Sequence, residues 1–160
     1  MLKKERFQGR NSTGLLDVPL AQVIVGCVLL VIDVVTKQLW RSRGLGLCNE
    51  GVAYGVTGEV LSAASWIVLL MIGVLWWKQR RVELLSGHGS GSLFSWGLVL
   101  IFSGGCANQF SRIMYGCVWD WIELGIGGLS GNIADVAIDG GLVLCILGIL
   151  NGSKQKKNNA

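Results

Sequence analysis

Asp135 closes the segment Asn132-Ile133-Ala134-Asp135, which opens an apolar run that reaches Leu150. An ionisable side chain at the edge of a stretch bound for lipid is costly, so it marks a candidate functional site whose partner should be sought. The chemistry on offer is proton transfer, because a carboxylate can accept or donate a proton while neighbouring carboxamides orient it. The search for a partner leads to Asn108, Ser111 and Arg112, which end the preceding apolar run. Asp33 and Lys37 stand at i and i+4, so on a helix they share a face and can pair. Asn49 adds a further carboxamide. Asp120, flanked by Trp119 and Trp121, reads as a solvated or interfacial loop carboxylate. Asp139 lies one helical turn beyond Asp135. Two carboxylates at that spacing repel, so one should keep its proton. Asp139 then either rests protonated in a helix interface or helps set the charge state of Asp135.

Elements that could carry these residues follow from composition. Apolar residues make up 51% of the chain and charged residues 15%, a balance that fits a polytopic membrane protein and excludes an ordinary soluble domain. A helical span needs about 20 mostly apolar residues. Four stretches qualify, over residues 19–35, 60–77, 93–105 with a polar extension to 110, and 133–150. The expectation is an all-α integral membrane protein, a single domain over residues 1–160 with four transmembrane helices. The third stretch is short and rich in Gly and Ser, so its polar end must face protein or water.

Charge sets the expected orientation. Lys3, Lys4, Arg6 and Arg10 precede the first span, Lys78, Arg80 and Arg81 follow the second, and Lys154, Lys156 and Lys157 follow the fourth. Positive residues favour the cytoplasmic side, which places both termini there and the polar residues at one depth near the outer surface. Trp40, Trp119 and Trp121 then sit at the outer interface, Trp76 and Trp77 at the inner one. The net charge of +4 reflects topology and calls for no nucleic acid. The apolar run continues past Cys27, too long for a cleaved leader, so it reads as a retained span. Residues 86–92 form a Gly/Ser linker holding the only histidine, His88. Cys27 and Cys145 fall inside spans as small packing residues. Cys48 and Cys117 fall in the two outward loops, where a disulfide is permitted, although sequence does not pair them. No metal constellation and no cofactor motif is present.

At these residues the chain resembles the lipoprotein signal peptidase (signal peptidase II) family. Asp33-Val34-Val35-Thr36-Lys37 resembles Asp-x-x-Thr-Lys. Asn49-Glu50-Gly51-Val52-Ala53-Tyr54-Gly55 resembles Asn-x-Gly-x-Ala-Phe-Gly. Gly104 to Arg112 resembles Gly-Gly-Ala-x-Gly-Asn-x-x-Asp-Arg with one glycine missing. Val118-Trp119-Asp120-Trp121 resembles Val-Val-Asp-Phe, and Asn132 to Ile138 resembles Asn-x-Ala-Asp-x-x-Ile. The resemblance implies a four-span aspartyl protease of the bacterial inner membrane that cuts prolipoproteins before a diacylglyceryl-cysteine. It implies catalytic carboxylates at Asp135 and at position 111, substrate-binding roles for Asn49, Asn108, Arg112 and Asn132, and supporting roles for Asp33, Lys37, Asp120 and Asp139.

Position 111 departs from that pattern, because it is a serine. A serine hydroxyl is neither a useful acid nor a useful base near pH 7, and losing one member of a catalytic unit is rarely tolerated. The favoured expectation is therefore a degenerate member that binds membrane lipids, a lipid-modified peptide or a membrane-protein partner without cutting. The alternative is an active peptidase acting on diacylated prolipoprotein signal peptides, in which Asp139 or Asp120 would have to stand in as the second carboxylate. A channel is disfavoured, since Asp139 alone would lie deep in the bilayer.

Overall fold

A computed structural model describes residues 14–51, 59–85, 92–123, 125 and 130–158, without the side chains of 14–19, 59–62, 84 and 154–158. The leading cluster Lys3 to Arg10, the linker glycines with His88, and Ala53 to Gly55 lie outside the described residues, as do the side chains of Lys154, Lys156 and Lys157.

The described residues form four helices: α1 (Gly14–Ser42), α2 (Glu59–Leu85), α3 (Leu93–Tyr115) and α4 (Ile133–Asn158). Among the described residues, three of them are long and apolar enough to cross a membrane, over Leu20–Ser42, Leu93–Tyr115 and Ile133–Ser153. Their outer faces expose Val31 and Val35 on α1 and Val143, Ile146 and Ile149 on α4. Such a surface is stable only where the solvent is itself apolar.

The all-α bundle carries one addition that the sequence does not announce. Two antiparallel ribbons stand at one end of the bundle, β1 (Leu47–Asn49) with β2 (Val118–Asp120), and β3 (Ile122–Glu123) with β4 (Ser130–Gly131). Strands of two or three residues are too short to show an alternating pattern, so sequence periodicity did not announce them.

Helix α3 is the centre of the bundle and packs against all three others, most closely against α4. Glycines allow that approach. A Cβ on Gly97 would lie 2.5 Å from Gly141 O, and one on Gly104 would collide with Ala134 O. Gly141 and Gly148 supply the matching flat surface on α4. Helix interfaces in lipid favour small residues for this reason, since close backbone packing replaces the missing hydrophobic drive. Helix α3 runs unbroken through the polar segment to Tyr115, beyond the expected end at 110, and stops where Gly116 takes a left-handed φ of 75°. Its polar residues Asn108, Gln109 and Ser111 are buried against protein, which satisfies the requirement placed on this span.

Polar ties hold the remaining helices. Gln109 on α3 donates to Ser65 on α2. Trp76 Nε1 donates to Gln22 Oε1 at 3.0 Å, and Gln22 Nε2 donates to Ser95 Oγ at 3.2 Å, joining α2, α1 and α3. At the far end of α2, Glu83 accepts from Arg80, Gln79 and the α3 N-cap Ser92. Burial pushes the Glu83 carboxyl up, but the bonds from Ser92, Gln79 and Arg80 outweigh it and hold the group below its ordinary range.

Candidate functional site

The C-terminal ends of α1 and α3, the N-terminus of α4, and the β1–β2 ribbon meet at one end of the bundle. Each brings a polar side chain for a local reason. Asn132 is the N-cap of α4, and Asp135 stands three residues on. Asp135 N donates to Asn132 Oδ1 at 3.2 Å, while Asn132 N donates to Asp135 Oδ2 at 3.1 Å. This reciprocal pair is a capping box in which Asp takes the place of Glu. Asp33 from α1 adds a third contact, accepting from Ala134 N at 2.9 Å. The first turn of α4 thus presents its unsatisfied N–H groups and its positive dipole end to two carboxylates.

A continuous path of hydrogen bonds runs outward from there. Lys37 Nζ lies 2.6 Å from Asp33 Oδ2 and donates to Asn108 Oδ1 at 2.8 Å. Asn108 Nδ2 donates to Asp135 Oδ1 at 2.7 Å. Asn132 Nδ2 then reaches across to Asp120 Oδ1 at 2.7 Å, and Asn49 Nδ2 donates to Asp120 Oδ2 at 3.0 Å. Asn49 Oδ1 accepts from Gly51 N, and Gly51 O accepts from Arg112 Nη2 at 2.6 Å. Three asparagines therefore stand between the charged groups, each donating to one neighbour and accepting from another.

The expected pairing of Asp33 with Lys37 is present, and both side chains are 1% exposed. Lys37 does more than pair, since it also fixes the orientation of Asn108, which aims the amide of Asn108 at Asp135. Asn49, Asn108, Asn132 and Asp135 converge as the sequence suggested.

Asp120 is where the expectation fails. It is 2% exposed, not a solvated loop carboxylate, and it lies on β2 with both oxygens held by asparagine amides. It lies within electrostatic range of Asp135, Lys37 and Arg112. Only the long-range pairing of β1 with β2 buries it, and no local pattern reports that pairing.

Asp139 is also corrected. It lies on the exposed face of α4, neither in a helix interface nor in the polar path. The packed face of α4 is the line Ala134, Ala137, Gly141 and Cys145. Asp135 sits at the edge of that line, and a residue four further on is rotated by about 40° more, which carries it past the edge.

Ser111 is 1% exposed within α3, and among the described residues no hydrogen bond joins it to Asp120 or Asp135. Arg112 donates to the carbonyl of Gly51, two residues after β1. Cys48 and Cys117, which sequence left unpaired, form a disulfide with a Cα–Cα separation of 5.6 Å. Trp40 stacks on Trp121 at 5.1 Å beside the ribbons. No cluster of potential metal ligands occurs among the described residues.

Asn132 donates to both Asp120 and Asp135, so the two carboxylates are held by one residue. Comparisons with known proteins converge on one family. The family described as Signal peptidase (SPase) II matches residues 25–151. The lipoprotein signal peptidase of Methylobacterium radiotolerans is 30% identical over 136 residues, covering 78% of this chain and 75% of that one. The lipoprotein signal peptidase of Burkholderia ambifaria is 41% identical over 102 residues, covering 61% and 60%. A solved bacterial membrane enzyme superposes with a TM-score of 0.66 at 19% identity, over 85% of this chain and 91% of that one, which speaks for the fold.

Proposed function

The chain belongs to the signal peptidase II family, and from that premise we propose that it is an active aspartic endopeptidase that removes the signal peptide of diacylated prolipoproteins, with Asp120 and Asp135 as its working pair. One observation carries the reading. Asn132 donates from its side chain to Asp120 and from its backbone to Asp135, so a single residue brings the buried carboxylate of Asp120 and the half-buried one of Asp135 together.

The chemistry follows from that closeness. Neighbouring carboxylates ionise one at a time, so the pair shares a proton. The ionised carboxylate takes a proton from water as it attacks the scissile carbonyl carbon, and its protonated neighbour gives its proton to the carbonyl oxygen. Collapse of the tetrahedral species passes a proton to the leaving amine and regenerates the pair. Asn49, Asn108 and Asn132 hold both carboxylates in place throughout, which preorganises the site before substrate arrives.

The reading of a non-cutting member rests on Ser111 and requires a site with one carboxylate. Asp120 supplies the second, so Ser111 need not move a proton. The relatives are named lipoprotein signal peptidases, and a lipid-modified substrate suits a site at the end of a bundle whose flanks are apolar. In this reading α2 is the fourth span, both termini face the cytoplasm, and the site lies near the outer surface of the bacterial inner membrane.

Cleavage of a diacylated prolipoprotein by the purified chain tests the proposal. Asp120→Asn and Asp135→Asn are each expected to lower kcat by about 10²–10⁴-fold, the usual cost of losing a proton-transfer group. Ser111→Ala should retain most activity, and kcat/KM should follow a bell-shaped pH profile belonging to the pair. An inert native chain, or normal cutting by Asp120→Asn, would sink the assignment.

A further inference from the structure

Ribbon β1–β2 carries two residues of the site, yet it is a weak element. Three residue pairs make it up: Leu47 with Asp120, Cys48 with Trp119, and Asn49 with Val118. Strand β1 packs on β2 and on little else among the described residues, and Leu47 is 62% exposed. A two-stranded ribbon of this length is marginal by itself. Nevertheless Asn49 must hold its place to donate to Asp120.

Alternation along the strands divides the ribbon into two faces. Leu47, Asn49, Val118 and Asp120 share one face. Cys48 and Trp119 oppose each other on the other face, and Cys117, two residues before Trp119, lies on that same face. The bridge between Cys48 and Cys117 therefore crosses the ribbon diagonally, behind the carboxylate, and joins segments 69 residues apart. The remaining cysteines, Cys27, Cys106 and Cys145, are in the helices and are free thiols.

We propose that the Cys48–Cys117 disulfide is a positioning element of the site: it fixes β1 on β2, and thereby Asn49 on Asp120, so that full activity requires an oxidising partner of the protein-disulfide class. The inference rests on the peptidase reading for its effect on rate. The chemistry is thiol–disulfide exchange. Two thiols of this chain lose two electrons and two protons and form the S–S bond, and the disulfide of the partner takes them up to become a dithiol. Neither cysteine touches the carboxylates; both act through Asn49.

The test compares the full chain in detergent as purified without reductant, the same chain reduced with dithiothreitol, and Cys48→Ala/Cys117→Ala. Maleimide labelling of unreduced protein should leave Cys48 and Cys117 unmodified; free thiols there overturn the proposal. Reduction and the double substitution should each lower kcat by about tenfold to a hundredfold, the scale expected when a catalytic group shifts slightly, with KM little changed and the pH profile displaced. Dithiothreitol should then do nothing further to the double variant. A fall in thermal midpoint with kcat and pH profile unchanged would mean the bridge only adds stability, and the proposal fails. If the oxidised chain cleaves nothing, the peptidase reading fails, and hydrogen exchange decides the positioning: the amides of residues 47–49 and 118–120 should exchange faster on reduction, and equal exchange overturns it.

Discussion

Lys37 shows how much one side chain can be asked to do. It is buried, paired with Asp33 and bonded to Asn108, so it neutralises one carboxylate and orients the amide that holds another. Removing one partner of a buried pair leaves the other charged in a medium that solvates it badly, at a cost of about 3–5 kcal/mol, whereas replacing both by apolar groups can come near neutral. Lys37→Met should therefore lower the thermal midpoint in detergent sharply, and Asp33→Leu/Lys37→Met should recover part of it. Activity should not recover in the double variant, because Asn108 has lost its orienting donor and Ala134 N its acceptor. A double variant that cuts normally would show that the pair serves stability alone. Local spacing made Asp33 and Lys37 legible as a pair, since i and i+4 suffices. The Lys37 bond to Asn108 crosses 71 residues of sequence, and nothing in either segment encodes it.

Helices position the site as precisely as their interfaces allow, and glycine sets the α3–α4 interface. Gly104 faces the carbonyl of Ala134, next to Asp135, whereas Gly140 on the same α4 helix meets nothing within 4 Å. Gly104→Ala should push the first turn of α4 away from Asn108, destabilise the fold by about 1–3 kcal/mol, and reduce cleavage further than stability alone explains. Gly140→Ala should be neutral or stabilise by up to about 1 kcal/mol, since it only improves helix propensity. Equal effects of the two substitutions on cleavage would refute the close-packing account. Long apolar runs announced these helices well, and Asn132 with Asp135 announced the start of α4 through capping residues. The ribbons were not legible: β1 and β4 hold too few residues for a pattern, and the burial of Asp120 follows from their pairing. Asp120 resembles a loop carboxylate in its local sequence because distant chain places it.

At the scale of the whole molecule, the ends of the bundle differ in chemistry. One end gathers Asp33, Lys37, Asn108, Asp120 and Asp135 with the disulfide, and the other end of α2 carries Lys78, Arg80 and Arg81. Two independent arguments orient this asymmetry. Lys and Arg concentrate on the cytoplasmic side of membrane proteins, and disulfides persist on the oxidising side. Both arguments favour the proposed orientation, with the carboxylates outward, where the proposed prolipoprotein substrate would present its cleavage point. A chain with Cys27, Cys106 and Cys145 replaced by Ser, and a single new cysteine at an exposed position, should reveal this in intact cells. Glu123→Cys, beside the site, should react with a membrane-impermeant maleimide from outside, and Val82→Cys, near the basic end of α2, should react only after the cells are opened. The opposite pattern would turn the bundle over and place the disulfide in a reducing compartment. It would thereby remove the oxidant on which the ribbon depends.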